Sequence, residues 1–78
     1  MISLLEYLIK EITGNEDISI NEETSSDVQV YYIKAPSSVI GSIIGKNGRT
    51  IRAIRSICRA RAIKDQVNIA IRVEESAS

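Results

Sequence analysis

The stretch Ile40-Gly41-Ser42-Ile43-Ile44-Gly45-Lys46-Asn47-Gly48-Arg49-Thr50-Ile51-Arg52-Ala53-Ile54-Arg55 sets the reading of the whole chain. Two glycines, Gly45 and Gly48, bracket two polar residues. Glycine accepts positive φ and, having no side chain, lets another backbone come close. Before the turn, Pro36 and Ser37 open a short helix with Ser37 or Ser38 as N-cap, running from about residue 38 to Ile44. After it, a longer helix runs from about Arg49 to residue 62. The turn thus ends where free N–H groups and the helix dipole favour a phosphate. Lys46 and Arg49 add full positive charge there. Gly41 lies on the same helix face as Gly45 and clears a path along it. Ile44 and Ile51 flank the turn as an apolar floor.

The longer helix divides its faces. At about 100° per residue, Ile51, Ile54, Ile57 and Cys58 fall within one arc of about 120°, the expected buried face. Arg52, Arg55 and Arg59 cluster on the far side, with Arg49 beside them. No acidic residue stands between Arg49 and Lys64. A solvated helix usually mixes signs for i,i+4 support, so an uncompensated arginine stripe points to an anion. Arg61 lands on the apolar arc, where the helix frays or the side chain snorkels. Cys58 reads as core filler.

Working outward, Ile2, Leu5, Leu8, Ile9 and Ile12 recur at helical spacing, and Gly14 stops that first helix. Ile18 and Ile20 suggest a short strand, and the polar stretch 21–27 reads as a loop. Val28, Val30 and Tyr32 alternate with Gln29 and Tyr31 in a second strand that ends before Pro36. Of the two tyrosines, one is expected in the core and one on the surface. Asp65 and Gln66 form a turn. Val67, Ile69, Ile71 and Val73 alternate in a third strand, and residues 74–78 read as a loose tail. The order is helix, strand, strand, helix, helix, strand. A hairpin joins the first two strands. A right-handed crossover lays the third parallel to the second, giving an α+β fold with a three-stranded mixed sheet and three helices on one face.

With 78 residues the chain makes one domain, expected over residues 1–75 with 76–78 as a flexible tail. One cysteine and no histidine leave no donor set for a zinc site and exclude histidine acid–base catalysis. A P-loop does not fit, because Gly41 to Thr50 lacks the required spacing. No apolar run approaches the roughly 20 residues of a membrane span. Residues 1–10 do not read as a signal peptide, and the single thiol fits a reducing cytoplasm. The formal net charge of zero conceals a division. Residues 1–45 hold two basic and seven acidic side chains, whereas residues 46–72 hold eight basic and one acidic.

On its own a Gly-X-X-Gly turn between short helices is common. Here the residues from Ile43 to Ile54, with their flanking isoleucine spacing, resemble the signature of the KH domain. The element order is similar to the bacterial, type II variant. The chain from first helix to last strand resembles the small single-KH proteins of the KhpA type. That resemblance implies a non-catalytic module that clamps about four nucleotides of single-stranded RNA. Gly45, Lys46, Asn47, Gly48 and Arg49 would hold the sugar-phosphate backbone. Gly41, Ser42, Ile44 and Ile51 would line the base groove. Arg52 would add attraction and Arg55 would reach a base edge or phosphate. No cofactor, metal or small-molecule substrate is implied. The resemblance further implies a cytoplasmic RNA chaperone or post-transcriptional regulator, working with a second KH-containing protein or as a homodimer. The arginines at Arg59 and Arg61 depart from the small or apolar residues more usual in this subgroup. Two other readings stand beside it: a protein–protein adaptor using the same surface, and a helix-turn-helix binder of duplex DNA.

Overall fold

A computed structural model describes residues 1–15 and 17–76. The elements are α1 (Ile2–Thr13), β1 (Ser19–Ser25), β2 (Val28–Ala35), α2 (Ser37–Ile44), a single 3-10 turn (Lys46–Gly48), α3 (Arg49–Lys64) and β3 (Asn68–Glu75). The sheet order is β1-β2-β3, with β1 antiparallel and β3 parallel to β2. This is the expected α+β architecture of a type II KH fold, with the three helices on one face of a mixed sheet. Among the described residues no helix is long and apolar enough to cross a membrane.

The core lies between that face and the helices. Leu5 and Ile9 come from α1, Val39 and Ile43 from α2, and Ile51, Ile54 and Cys58 from α3. They meet Tyr31, Ile33 and Ala35 of β2 and Ile71 of β3, all buried. The alternation of β2 therefore works through its odd-numbered residues. Val28, Val30 and Tyr32, the apolar set suggested by the sequence, sit half-buried on the face without helices. Tyr31 is the core tyrosine and Tyr32 the surface one. Gly14 terminates α1 as expected, in the left-handed region with its N–H on Lys10 O.

Several boundaries differ from the sequence reading. The polar stretch 21–25 is strand, and only Ser26 and Asp27 form the turn. Beyond Ile20, which is half-buried against the core, every residue of β1 is exposed, so backbone pairing with β2 rather than apolar alternation extends it to Ser25. Ser37 is already helical and makes no side-chain cap. Pro36 is the N-cap, and its carbonyl accepts from Val39 N at 2.9 Å and Ile40 N at 3.0 Å. Helix α3 continues past Arg61, whose guanidinium is exposed and pairs with Asp65 at 3.2 Å, so it neither frays nor snorkels there. Ile57 is 44% exposed, and Ala62 takes its place on the buried arc. Glu74 and Glu75 are strand, and Ser76 N donates to Ala35 O at 2.9 Å, which ties the start of the supposed tail. Residues 77–78 lie outside the described residues.

Candidate nucleic-acid interface

Residues 45–48 connect α2 to α3 with no slack. Gly45 has φ 76° and ψ 174°, a region essentially confined to glycine. A Cβ there would fall onto Thr50, 2.7 Å from its Cβ and 2.9 Å from its backbone N. Gly45 is thus required both by its backbone and by the close approach of α3. Asn47 (φ 58°, ψ 25°) and Gly48 (φ 73°, ψ 16°) are both left-handed. Asparagine is among the residues that tolerate that region best. The two reversals turn the chain into α3 with Gly48 as its N-cap and no side-chain cap.

The loop's polar side chains face solvent. Lys46, Asn47 and Arg49 are exposed, and among the described residues neither Lys46 nor Arg49 has an ion-pair partner. Arg52 Nη2 donates to Asn47 O at 3.0 Å, so this side chain braces the loop while leaving four further N–H donors. Positive charge and the uncapped start of α3 therefore coincide at one exposed loop.

The other expected residues separate. Gly41 and Ser42 are exposed on α2, and Ile44 is 39% exposed beside the loop. Ile51, however, is buried in the core at 7% and offers little as a floor. Arg55 leans toward the sheet rather than away from it. Its Nη2 donates to Ile71 O at 3.0 Å, at a groove of about 260 Å³ whose other walls are Arg59 and residues 69–72 of β3. The sequence reading left β3 out of the site. Only the parallel register, which sets β3 beside the arginine side of α3, reveals the groove, and no linear spacing encodes it.

Comparison with known proteins gives the family. The sequence profile of the "KhpA/KhpB, KH domain" family matches residues 2–74. The chain belongs to this KH family. It is 32% identical over 76 residues to the RNA-binding protein KhpA of Chlamydia trachomatis serovar D, covering 96% of this chain and 97% of that protein. To the RNA-binding protein KhpA of Clostridium perfringens it is 30% identical, covering 94% and 99%. To that of Borreliella burgdorferi it is 29% identical, covering 92% and 89%. The KH family match thus covers every helix and strand described above except the last residue of β3.

Proposed function

We propose that the chain binds single-stranded RNA reversibly and catalyses nothing, with Gly45-Lys46-Asn47-Gly48 as a clamp on about four nucleotides of backbone. The observation that carries this is the exposed, uncapped start of α3, reached through a loop whose Gly45 has no room for a side chain. The RNA-binding names of its relatives agree with it. Arg49 and Arg52 supply attraction beside the clamp. Gly41, Ser42 and the exposed part of Ile44 line the path for bases, and Arg55 meets them from the sheet side. Ile51 supports that path from the core.

One groove of this size binds weakly, and linkage to a second KH-containing protein or a second copy raises the affinity without new contacts. Such a module suits an RNA chaperone or post-transcriptional regulator in the cytoplasm. The exposure of Ile57 and Ile63 on α3 favours, as a second reading, an adaptor that docks protein on this helix.

The double variant Lys46→Asp with Asn47→Asp separates the two. It lowers the local charge by three and sets carboxylates where phosphate would approach. Carboxylates at a helix start favour that helix by some tenths of a kcal/mol, so thermal stability is expected to hold. RNA titration is expected to show binding lost. A variant that melts like the parent and binds RNA with undiminished affinity would put the adaptor first.

A further inference from the structure

Strand β1 is an edge of the sheet, with a neighbour on one side only. The pairing on the far side of β2 shows which of its backbone groups face outward. Ser76 N donates to Ala35 O, and Ala35 is in register with Glu75, so residue 35 turns its N–H and C=O toward β3. By the alternation of a strand, Tyr31 and Ile33 do the same, and the even-numbered residues of β2 bond to β1 instead. Those residues are in register with Ser19, Asn21, Glu23 and Ser25. Ile20, Glu22 and Thr24 therefore point their N–H and C=O groups away from the sheet. Among the described residues these outward groups have no hydrogen-bond partner. Such a row is a ready template for another strand.

The edge runs beside a groove of about 300 Å³ between α1 and β1. Ile18 and Ile20 give it an apolar part, and Glu6, Lys10 and Asn15 a polar one. At the centre of β1, Glu22 and Glu23 are exposed on opposite faces of the sheet, and among the described residues neither has an ion-pair partner. Two carboxylates at the middle of the edge select its occupant. They repel a phosphate backbone. An antiparallel pairing with a second copy, centred on residue 22, would set Glu22 directly against Glu22, and like charges opposite each other destabilise a strand pair. Lysine or arginine opposite the same positions stabilises it.

We propose that the β1 edge is a docking site for an extended basic segment of a partner protein, which adds to the sheet as a fourth strand. Lysine or arginine lies opposite Glu22 and Glu23, and an aliphatic side chain lies opposite Ile20, at the groove. Main-chain bonds to Ile20, Glu22 and Thr24 hold the segment, and the side chains opposite the two glutamates set its register. The site shares no residue with the Gly45–Gly48 loop and stands apart from the RNA reading.

The test titrates a heptapeptide capped at both ends, Thr-Val-Lys-Lys-Thr-Ile-Thr, into the full chain and follows backbone amides by NMR. Laid antiparallel to β1, it sets its lysines opposite Glu23 and Glu22 and its isoleucine opposite Ile20. The amides of Ile20, Glu22 and Thr24 are expected to shift downfield and gain protection from hydrogen exchange, while those of residues 45–48 stay still. Two control peptides separate the forces. One is N-methylated at the three residues facing Ile20, Glu22 and Thr24, which removes their donors and keeps every side chain. The other carries glutamate in place of both lysines. Each is expected to bind at least about tenfold more weakly. Glu22→Lys with Glu23→Lys is expected to lose the lysine peptide and to gain the glutamate one. Both side chains are exposed, so this variant is expected to melt like the parent; Glu22→Gln with Glu23→Gln serves if it does not, and should weaken the lysine peptide. Undiminished binding of the N-methylated peptide would reduce the contact to charge attraction and overturn strand addition. Equal binding of the lysine and glutamate peptides would overturn the basic partner. Edge amides that shift with protein concentration alone would give the edge to a second copy, and edge amides that shift with an RNA tetramer would give it to RNA; either overturns the proposal. So would an edge that stays still up to the solubility limit of the lysine peptide. None of these readouts depends on whether RNA binds at the loop.

Discussion

Gly45 and Gly48 are both at positive φ, but their surroundings differ. A Cβ at Gly48 meets nothing within 4 Å, whereas one at Gly45 meets Thr50. Gly48→Ala therefore bears only the intrinsic cost of the left-handed region, about 1–2 kcal/mol. Gly45→Ala adds a collision to a backbone that only glycine adopts, and is expected to cost about 3 kcal/mol or more. Removing the hydroxyl with Thr50→Ala should not rescue it, because the Cβ and backbone N of residue 50 remain too close. Urea unfolding of the three variants checks the order. Equal losses for the two glycines would mean that α3 yields at Thr50. The sequence made both glycines legible as turn residues. It did not show which one is irreplaceable, because Thr50 becomes a neighbour of Gly45 only after the chain reverses.

At the level of elements, α3 decides most of the packing. Its buried arc is Ile51, Ile54, Cys58 and Ala62. Ile54→Ala is expected to cost about 2–5 kcal/mol, the range for a fully buried large-to-small change. Ile57→Ala is expected to cost under about 1 kcal/mol, since 44% of that residue is already in water. Thermal or urea midpoints of the pair measure the arc; equal costs would place Ile57 in the core. Helical periodicity recovered this helix and three of the four positions it was asked for. It erred at Ile57 because a wheel treats isoleucine at the edge of an arc like one at its centre. Strand β1 was half-missed for a different reason. Hydrophobic alternation reports burial, and β1 buries almost nothing; its backbone ladder is invisible to composition. The loop between α2 and α3 was legible because glycine spacing encodes conformation directly. The β3 wall of the groove was not, since it depends on a strand pairing across the whole crossover.

For the whole molecule, two titrating side chains in the core, Tyr31 and Cys58, bear on stability at alkaline pH. Burial, then the carboxylate of Glu22, pushes the Tyr31 phenol above its ordinary value of 10.0. Burial pushes the Cys58 thiol above 9.0, partly opposed by the N-terminal amine. Both folded-state values are raised, and for these acids the neutral form is the one the core accommodates. Their contribution is complete below the unfolded-state values and is lost as pH rises through the folded ones. Urea midpoints are expected to be insensitive to these groups near neutrality and to fall from about pH 9 upward. A midpoint that climbs above pH 9 would contradict the burial of both groups. Tyr31→Phe with Cys58→Ala should flatten the decline.

Strand β2 has two neighbours of unlike origin. Val28 pairs with Ser25 across the two-residue turn, and with Asn68 forty positions further along the chain. The antiparallel partner is found almost at once, by a local search. The parallel partner waits until α2, the loop and α3 have folded back over the sheet, since loop-closure entropy must be met before distant contacts repay it. In kinetic terms the Gly45–Gly48 loop belongs to the fast, local part of the chain, and the wall formed by β3 to the slow part. On chain separation alone, the contacts of the loop are expected to form ahead of those of the groove.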